Sequence, residues 1–357
     1  MHGSASAAAS GRVAHLVDRR PTVSPERLIA QLAPPPTFAD VSFATYRPDP
    51  SEPTQAAAVA ACEEFCRQAV QRRAGRRSLL GRRVALPGVG LYLDGGFGVG
   101  KTHLLASAYY QLPGDGPNAQ MPKAFATFGE LTQLAGVFGF AECVELLAGY
   151  TAVCIDEFEL DDPGNTTLIS RMLSSLVERG VSVAATSNTL PEQLGEGRFA
   201  AADFLREINT LASIFTTVRI EGPDYRHRGL PAAPQPLSAA EVTARAARTK
   251  GATLDDFDAL CAHLATMHPS RYLSLIEGVT AVFLTDVHNV DDQNVALRLV
   301  SLTDRLYDAG IPVVASGAKL DTIFSEEMLA GGFRKKYLRA ISRLLALTAE
   351  VSETREP

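Results

Sequence analysis

The chain has 357 residues, 34 basic against 40 acidic side chains, a formal charge of −6, and is 46% apolar and 21% charged. That length accommodates about two domains, the charge balance excludes a globally basic nucleic-acid binder, and no apolar run approaches the roughly 18 residues of a membrane span. The five cysteines show no metal spacing and read as small buried apolar residues in a reducing cytoplasm.

Residues 1–23 are rich in Ala, Ser and Arg without sustained periodicity, and are expected to be disordered. Arg19-Arg20 run into Pro and polar residues, so no export signal is expected. A short helix follows Pro25 and stops at Pro34-Pro35-Pro36. Phe38 to Pro53 reads as extended, with Phe43 and Tyr46 as packing anchors, and Thr54 to Ala74 as an N-capped helix. Arg67, Arg72, Arg73, Arg76, Arg77, Arg82 and Arg83 cluster at its end. Without interleaved aromatics they fit a solvated helix end and loop better than a surface for nucleic acid, acidic lipid or an acidic protein.

An apolar run, Leu91 to Asp94, then leads into Gly95-Gly96-Phe97-Gly98-Val99-Gly100-Lys101-Thr102-His103. The segment from Gly95 to Thr102 fits G-x-x-x-x-G-K-[ST] at every position, and strand and helix patterns flank it. Glycines let the backbone wrap a polyphosphate and turn its N–H groups inward, while the following helix adds its positive N-terminal end. Lys101 would contact the β- and γ-phosphates, and the Thr102 hydroxyl would hold Mg²⁺. His103 reads as packing on the first helical turn rather than as a base.

Further strand patterns cover Ala124 to Thr127, Thr151 to Ile155, Val181 to Ala185 and Ile214 to Ile220, alternating with helices. This alternation predicts an α/β fold, a mainly parallel sheet sandwiched by helices, with a C-terminal α/β extension. Asp156-Glu157 ends the third strand, where open α/β sheets place their ligand sites. Asp156 suits the Mg²⁺ shell and Glu157 suits the base that polarises an attacking water. Asn188, after the fourth strand, would bridge the γ-phosphate and that water, the role called sensor 1 in AAA+ ATPases.

Gly229 to Pro236, with three prolines, reads as a linker. The organisation expected is therefore a disordered 1–23, a nucleotide core over 24–228, a linker over 229–237 and a C-terminal region over 238–350. Helical patterns in the last part run near Leu254 to Met267, Asn294 to Asp308 and Phe333 to Leu347. Residues 280–320 echo residues 151–190, both reading strand, acidic turn, helix, strand. In the echo Thr285-Asp286 stands for Asp156-Glu157, Ala318 for Asn188, and no phosphate loop precedes it. It is read as a degenerate or convergent structural repeat, not a second active site.

Together these residues resemble the ZapE-type cell-division ATPases and their mitochondrial Afg-like relatives, an AAA+ family. The likeness runs from about Leu28 to Leu347. Its carriers are Phe43-Ala44-Thr45-Tyr46-Arg47-Pro48-Asp49-Pro50 with Gln55, the phosphate loop, Ile155-Asp156-Glu157-Phe158, Ala185-Thr186-Ser187-Asn188, Gly222-Pro223-Asp224-Tyr225-Arg226, and Leu302-Thr303-Asp304-Arg305-Leu306-Tyr307-Asp308. The resemblance implies a cytoplasmic ATPase, peripheral at the inner face of the cell membrane, that assembles with copies of itself and acts on a protein partner such as a division-ring component. It also implies an arginine offered to the neighbouring subunit, for which Arg198 is the candidate and Arg206 the alternative. The chain departs from the family at Gly195-Glu196-Gly197-Arg198-Phe199, and at Leu297-Arg298-Leu299, where an Arg-Arg pair is common.

Some residues admit two readings. Gln55 either reads adenine or sits on a helix surface. Arg339 and Arg343 either supply a second phosphate sensor or form an exposed basic face. The chain as a whole reads as an ATPase using Lys101, Thr102, Asp156, Glu157 and Asn188. Gly-Lys-Thr-His-Leu also occurs in helicase loaders and transposition ATPases, against which the acidic charge and the lack of a helix-turn-helix pattern argue. A nucleotide-dependent scaffold with little turnover is the remaining alternative.

Overall fold

The computed structural model describes residues 13–22, 24–77, 83–84, 86–96, 98–114, 121–160, 163–194, 204–223 and 234–353. It divides into two compact units, Val23–Arg228 and Met1–Thr22 with Gly229–Pro357, called the P-loop unit and the C-terminal unit below. Among the described residues no single helix is long and apolar enough to cross a membrane.

The P-loop unit starts with α1 (Pro25–Ala30), whose N-cap Ser24 accepts a hydrogen bond from the Arg27 amide, and α2 (Pro53–Ala74). Proline at the first position starts α2, whose N-cap residue Glu52 makes no side-chain cap bond; the hydroxyl of Thr54 accepts from the amide of Glu221. A two-residue ladder, β1 (Arg76–Arg77) and β2 (Arg83–Val84), follows. Next come β3 (Gly90–Gly95), α3 (Lys101–Gln111), β4 (Lys123–Thr127), α4 (Phe128–Phe138), α5 (Phe140–Ala148), β5 (Ala152–Asp156), α6 (Pro163–Glu178), β6 (Ser182–Ser187), α7 (Leu205–Ile214) and β7 (Phe215–Ile220).

Strands apolar at nearly every position must be covered on both faces. The five parallel strands are ordered β4-β5-β6-β3-β7. Tyr92, Ala126, Val153, Ile155, Val183 and Ala185 pack towards α4, α5, α6 and α7. The alternate positions Leu91, Leu93, Phe125, Cys154 and Ala184 pack towards α2 and α3. The fold is thus the helix-sandwiched parallel sheet expected of a P-loop AAA+ NTPase.

The C-terminal unit contains α8 (Ala239–Arg248), β8 (Ala252–Asp256), α9 (Phe257–Ala265), α10 (Tyr272–Leu275), β9 (Ala281–Val287), α11 (Gln293–Asp308), β10 (Val313–Gly317), α12 (Glu326–Ala330) and α13 (Arg334–Glu353). Its parallel sheet has the order β10-β9-β8. Val242 and Ala246 of α8 cover one face with Phe283 and Val314, while α9, α11 and α13 cover the other.

Two expectations are corrected here. Residues 13–20, expected within a disordered 1–23, are built into the C-terminal unit. Leu16 is fully buried, the buried Asp255 carboxylate accepts from the amides of Leu16 and Val17 at 3.0 and 3.1 Å, and Arg19 donates to the carbonyls of Leu275 and Glu277. One 3₁₀ turn and one bridge, Ala14 to Thr253, leave no period for sequence to reveal. Second, the pattern near Leu254 to Met267 is not all helix. Its first residues form β8, and Asp256 caps α9 by accepting from the Ala259 amide.

The echo is a structural one and extends further than residues 280–320. The succession β8, α9, β9, α11, β10 repeats β4, α4, β5, α6, β6, with the same sheet order. Even the edge is treated alike: the Phe125 amide of β4 donates to Leu32 O, and the Leu254 amide of β8 donates to Ala14 O. Leu237, expected within a linker, bridges Ser316 of β10 in parallel, as Leu93 of β3 pairs with Thr186 of β6. Only Ser238 then separates Leu237 from α8, where residues 96–100 separate β3 from α3. The C-terminal unit therefore repeats the β4–β6 part of the P-loop unit, with a single bridge at Leu237 in the place of β3, no phosphate loop, and no counterpart of β7 among the described residues.

Helix α13 is fastened to α11 through Asp304, which accepts from Arg339 at 2.9 Å and from Arg343. Burial alone would raise the Asp304 carboxyl, but the guanidiniums of Arg339 and Arg343 outweigh it and its pKa is lowered. These arginines are thereby explained as the clamp of the C-terminal unit rather than an exposed basic face. Removing one partner of a buried pair costs about 3–5 kcal/mol, so Asp304→Ala is expected to lower the hydrogen-exchange protection of α11 and α13 by about that amount near neutral pH. A depressed carboxylate contributes above its unfolded pKa of about 3.9 and loses that contribution as pH falls through its folded value. The wild-type advantage should accordingly hold from pH 5 to 8 and shrink below about pH 4.

Candidate functional site

The parallel register of β5, β6 and β3 brings three sequence-distant turns to one edge of the sheet. Asp94 pairs with Ser187, and Ile155 with Ala185, so the phosphate loop, Asp156-Glu157 and Asn188 leave neighbouring strand ends. The loop's conformation depends on Gly98 and Gly100, at φ 73° and 86°, a region that side chains other than glycine rarely adopt. Phe97 lies outside the described residues. Gly95 ends β3, Gly96 has open space around it, and Val99 is buried.

Lys101 opens α3 and turns back over the loop. Its ammonium donates to the carbonyls of Gly95 at 2.8 Å and Gly96 at 2.6 Å, and to Asn188 Oδ1 at 2.7 Å. Thr102, next on the helix, donates to both carboxylate oxygens of Asp156 at 3.1 Å. Asp156 is buried, and Glu157 beside it is half-buried with φ 54°. Holding a residue other than glycine there costs on the order of 1–3 kcal/mol and requires surroundings that fix it. Those surroundings are the Thr186 side chain, which accepts from the Glu157 amide at 3.1 Å, and the Thr186 carbonyl, which accepts from the Phe158 amide at 2.7 Å.

The structure thus places Lys101 against Asn188 and Thr102 against Asp156, with Glu157 next along the chain. A hydroxyl and a carboxylate form a hard oxygen donor set that fits magnesium, and the glycine turn with a lysine fits a polyphosphate. Arg198 lies outside the described residues. Arg206 is exposed in the first turn of α7.

The segment Phe43 to Gln55 has a part in the site that the sequence only hints at. Tyr46 donates through its hydroxyl to Val99 O at 2.8 Å, and its ring lies where a Cβ on Gly100 would fall, 2.5 Å from Cε2. His103 bonds Thr45 Oγ1 at 3.0 Å and Ser42 O at 3.2 Å, with its ring edge-on to Tyr46. It therefore braces this segment against the first turn of α3. Gln55 is 1% exposed, which corrects the helix-surface reading. Its amide accepts from Asp49 N at 2.8 Å and donates to Glu221 O at 3.0 Å, so it ties the segment to the end of β7. The aromatic and amide residues signalled burial, but not what they would hold.

In the arginine cluster, Arg73 donates to the carbonyls of Ala148 and Gly149 and closes the end of α5, while Arg67 pairs with Glu64. Arg298, in the segment that departs from the family, donates to the carbonyls of Leu264 and Met267 at the end of α9. All five cysteines are buried, and burial pushes the thiols of Cys66 and Cys261 up to about 12.

The family model for AFG1-like ATPase matches residues 22–240 and 230–356. The chain is 27% identical over 303 residues to the cell division protein ZapE of Escherichia coli (strain K12), covering 75% of this chain and 80% of that one. It is 24% identical over 264 residues to lactation elevated protein 1 homolog B of Danio rerio, covering 63% of this chain and 51% of that one. Among solved structures, domain III of the Thermotoga maritima replication initiation protein DnaA is similar over 53% of this chain and 69% of its own, with 19% identity and a TM-score of 0.37. The chain belongs to the AFG1-like ATPase family.

Because Tyr46 supports the loop from behind, Tyr46→Phe is expected to weaken binding of a fluorescent ATP analogue about fivefold, the equivalent of one hydrogen bond of about 1 kcal/mol. Gly100→Ala adds a clash with the ring and a strained φ, and is expected to weaken it more than tenfold. Equilibrium titration of both variants checks the order of the two effects.

Proposed function

We propose, from membership of that family, that the chain binds ATP with Mg²⁺, hydrolyses it, and couples the cycle to the remodelling or regulation of a protein partner in cell division. The observation that carries the reading is the convergence of Lys101 with Asn188 and of Thr102 with Asp156 at one sheet edge. Nothing in folding alone calls for a lysine, an asparagine, a threonine and two carboxylates to be gathered there.

In this reading Lys101 exchanges loop carbonyls for the β- and γ-phosphate oxygens, and the backbone N–H groups of residues 98–102 line the phosphates. Thr102 and Asp156 would hold a magnesium ion, which would supply neutralisation of charge on the phosphate oxygens. Glu157 takes a proton from the attacking water as the water oxygen bonds to the γ-phosphorus and the bond from that phosphorus to the ADP oxygen breaks. Asn188 orients that water. The relative named as a cell division protein supports a partner of the division-ring type, and with it a cytoplasmic location at the inner membrane face. Nucleic acid is not the proposed partner, since the chain carries a formal charge of −6 and the described Arg67 and Arg73 are engaged within the protein.

Glu157→Gln keeps the shape and removes the base. It is expected to bind ATP with near wild-type affinity and to lose on the order of 10²–10⁴ in turnover, measured by phosphate release and nucleotide binding on the same preparation. Turnover at the wild-type rate would reject Glu157 as the base.

The reading also requires an arginine from a neighbouring copy, Arg198 or Arg206, to stabilise charge on the transferred phosphoryl group, worth on the order of 10³ in rate. Arg198→Ala and Arg206→Ala are each to be mixed with Lys101→Ala. Activity is expected to return in part for whichever arginine acts in trans, because a mixed assembly pairs one intact loop with one intact arginine. Mixed oligomers that form and stay inactive, with either single arginine variant inactive alone, would reject action in trans.

A further inference from the structure

Thr186 lies two residues before Asn188 at the end of β6, and it grips three consecutive residues of the neighbouring strand end. Its hydroxyl donates to Asp156 Oδ1 and accepts from the Glu157 amide at 3.1 Å, and its carbonyl accepts from the Phe158 amide at 2.7 Å. A hydroxyl has one proton to give. Here it goes to the carboxylate, which leaves the lone pairs facing the Glu157 amide. The side chain is 2% exposed, so water offers no substitute for either bond.

The C-terminal unit separates the two bonds. There Ser316, at the position of Thr186, accepts from the Asp286 amide at 3.1 Å, and Asp286 has φ 58° against 54° for Glu157. The hydroxyl-to-amide bond and the left-handed residue persist in a copy that has no phosphate loop. They belong to the scaffold. The residue standing for Asp156 is Thr285, so the bond from hydroxyl to carboxylate exists only beside the loop. A bond kept where there is a carboxylate to aim, and absent where there is none, is an element of the site.

From this we propose that Thr186 is a positioning residue for the ATPase reaction. It fixes the Asp156 carboxylate for the metal shell and, through the Glu157 amide, sets the direction from which the base approaches. This rests on the ATPase reading above. Asp156 then has two hydroxyl neighbours with different tasks: Thr102, itself a candidate metal ligand, and Thr186, which anchors the carboxylate from behind.

The test compares Thr186→Val, Thr186→Ser and Ser316→Ala in the full chain, with Lys101→Ala as reference. Binding of a fluorescent ATP analogue is titrated with Mg²⁺, and phosphate release is followed separately. For Thr186→Val the expectation is a Mg²⁺ requirement for tight binding raised at least fivefold, a kcat lowered at least tenfold, and metal-free binding within twofold of wild type. Thr186→Ser keeps the hydroxyl and should restore both to within about threefold, while Ser316→Ala should change neither. Thr186→Ala carries the expectation of the valine variant if that variant does not fold. A folded valine or alanine variant within twofold of wild type in Mg²⁺ requirement and kcat overturns the proposal, as does an equal loss in Ser316→Ala. If Lys101→Ala abolishes nucleotide binding while Thr186→Val behaves as wild type, only the role of Thr186 fails; if Lys101→Ala binds and hydrolyses normally, the ATPase reading fails and this proposal with it.

Discussion

The ammonium of Lys101 is the point on which the site turns. By donating to Gly95 O, Gly96 O and Asn188 Oδ1 it joins the end of β3, the start of α3 and the end of β6. This is possible only because β3 lies beside β6 in parallel register, with Asp94 opposite Ser187. The same register, carried to β5, sets Asp156 against Thr102 and Thr186. A one-residue slip of any of these strands would turn its buried side chains to the other face and separate the groups. The apolar alternation that fills both faces of the sheet therefore also aligns the chemistry.

The C-terminal unit shows how much of this arrangement is scaffold. It keeps three parallel strands in the order of β4 to β6, the helices between them, the edge bond to an N-terminal segment and a left-handed acidic residue held by a hydroxyl. It lacks the loop between Leu237 and α8, the lysine that would begin the helix, and the carboxylate and asparagine. In place of a charged site it has a clamp: Asp304, Arg339 and Arg343 bind α11 to α13. The C-terminal copy thus retains the strand-end geometry without the carboxylate and asparagine of the site.

Most of the P-loop unit was legible because its signals are local. Glycines at fixed spacing dictate a turn, and an apolar β-branched run ending in Asp-Glu dictates a buried strand with carboxylates at its tip. Asn188 followed from the same logic. What escaped is what depends on distant partners. Gln55 looks like any polar residue on a helix until Glu221 and Asp49 are brought to it, and Thr186 looks like an ordinary strand threonine until β5 lies alongside. The ordering of residues 13–20 depends on Asp255, more than two hundred residues away in sequence. β8 was hidden because its five residues run directly into α9, and the combined apolar spacing imitates a helix.

The most direct test of the account is the stoichiometry of nucleotide binding. The central claim is that one site, built around Lys101, binds ATP and that the C-terminal copy binds none. Equilibrium titration of the full chain with ATP and Mg²⁺ should give one nucleotide per chain, falling to none in Lys101→Ala. Two nucleotides per chain, or one that survives Lys101→Ala, would contradict it.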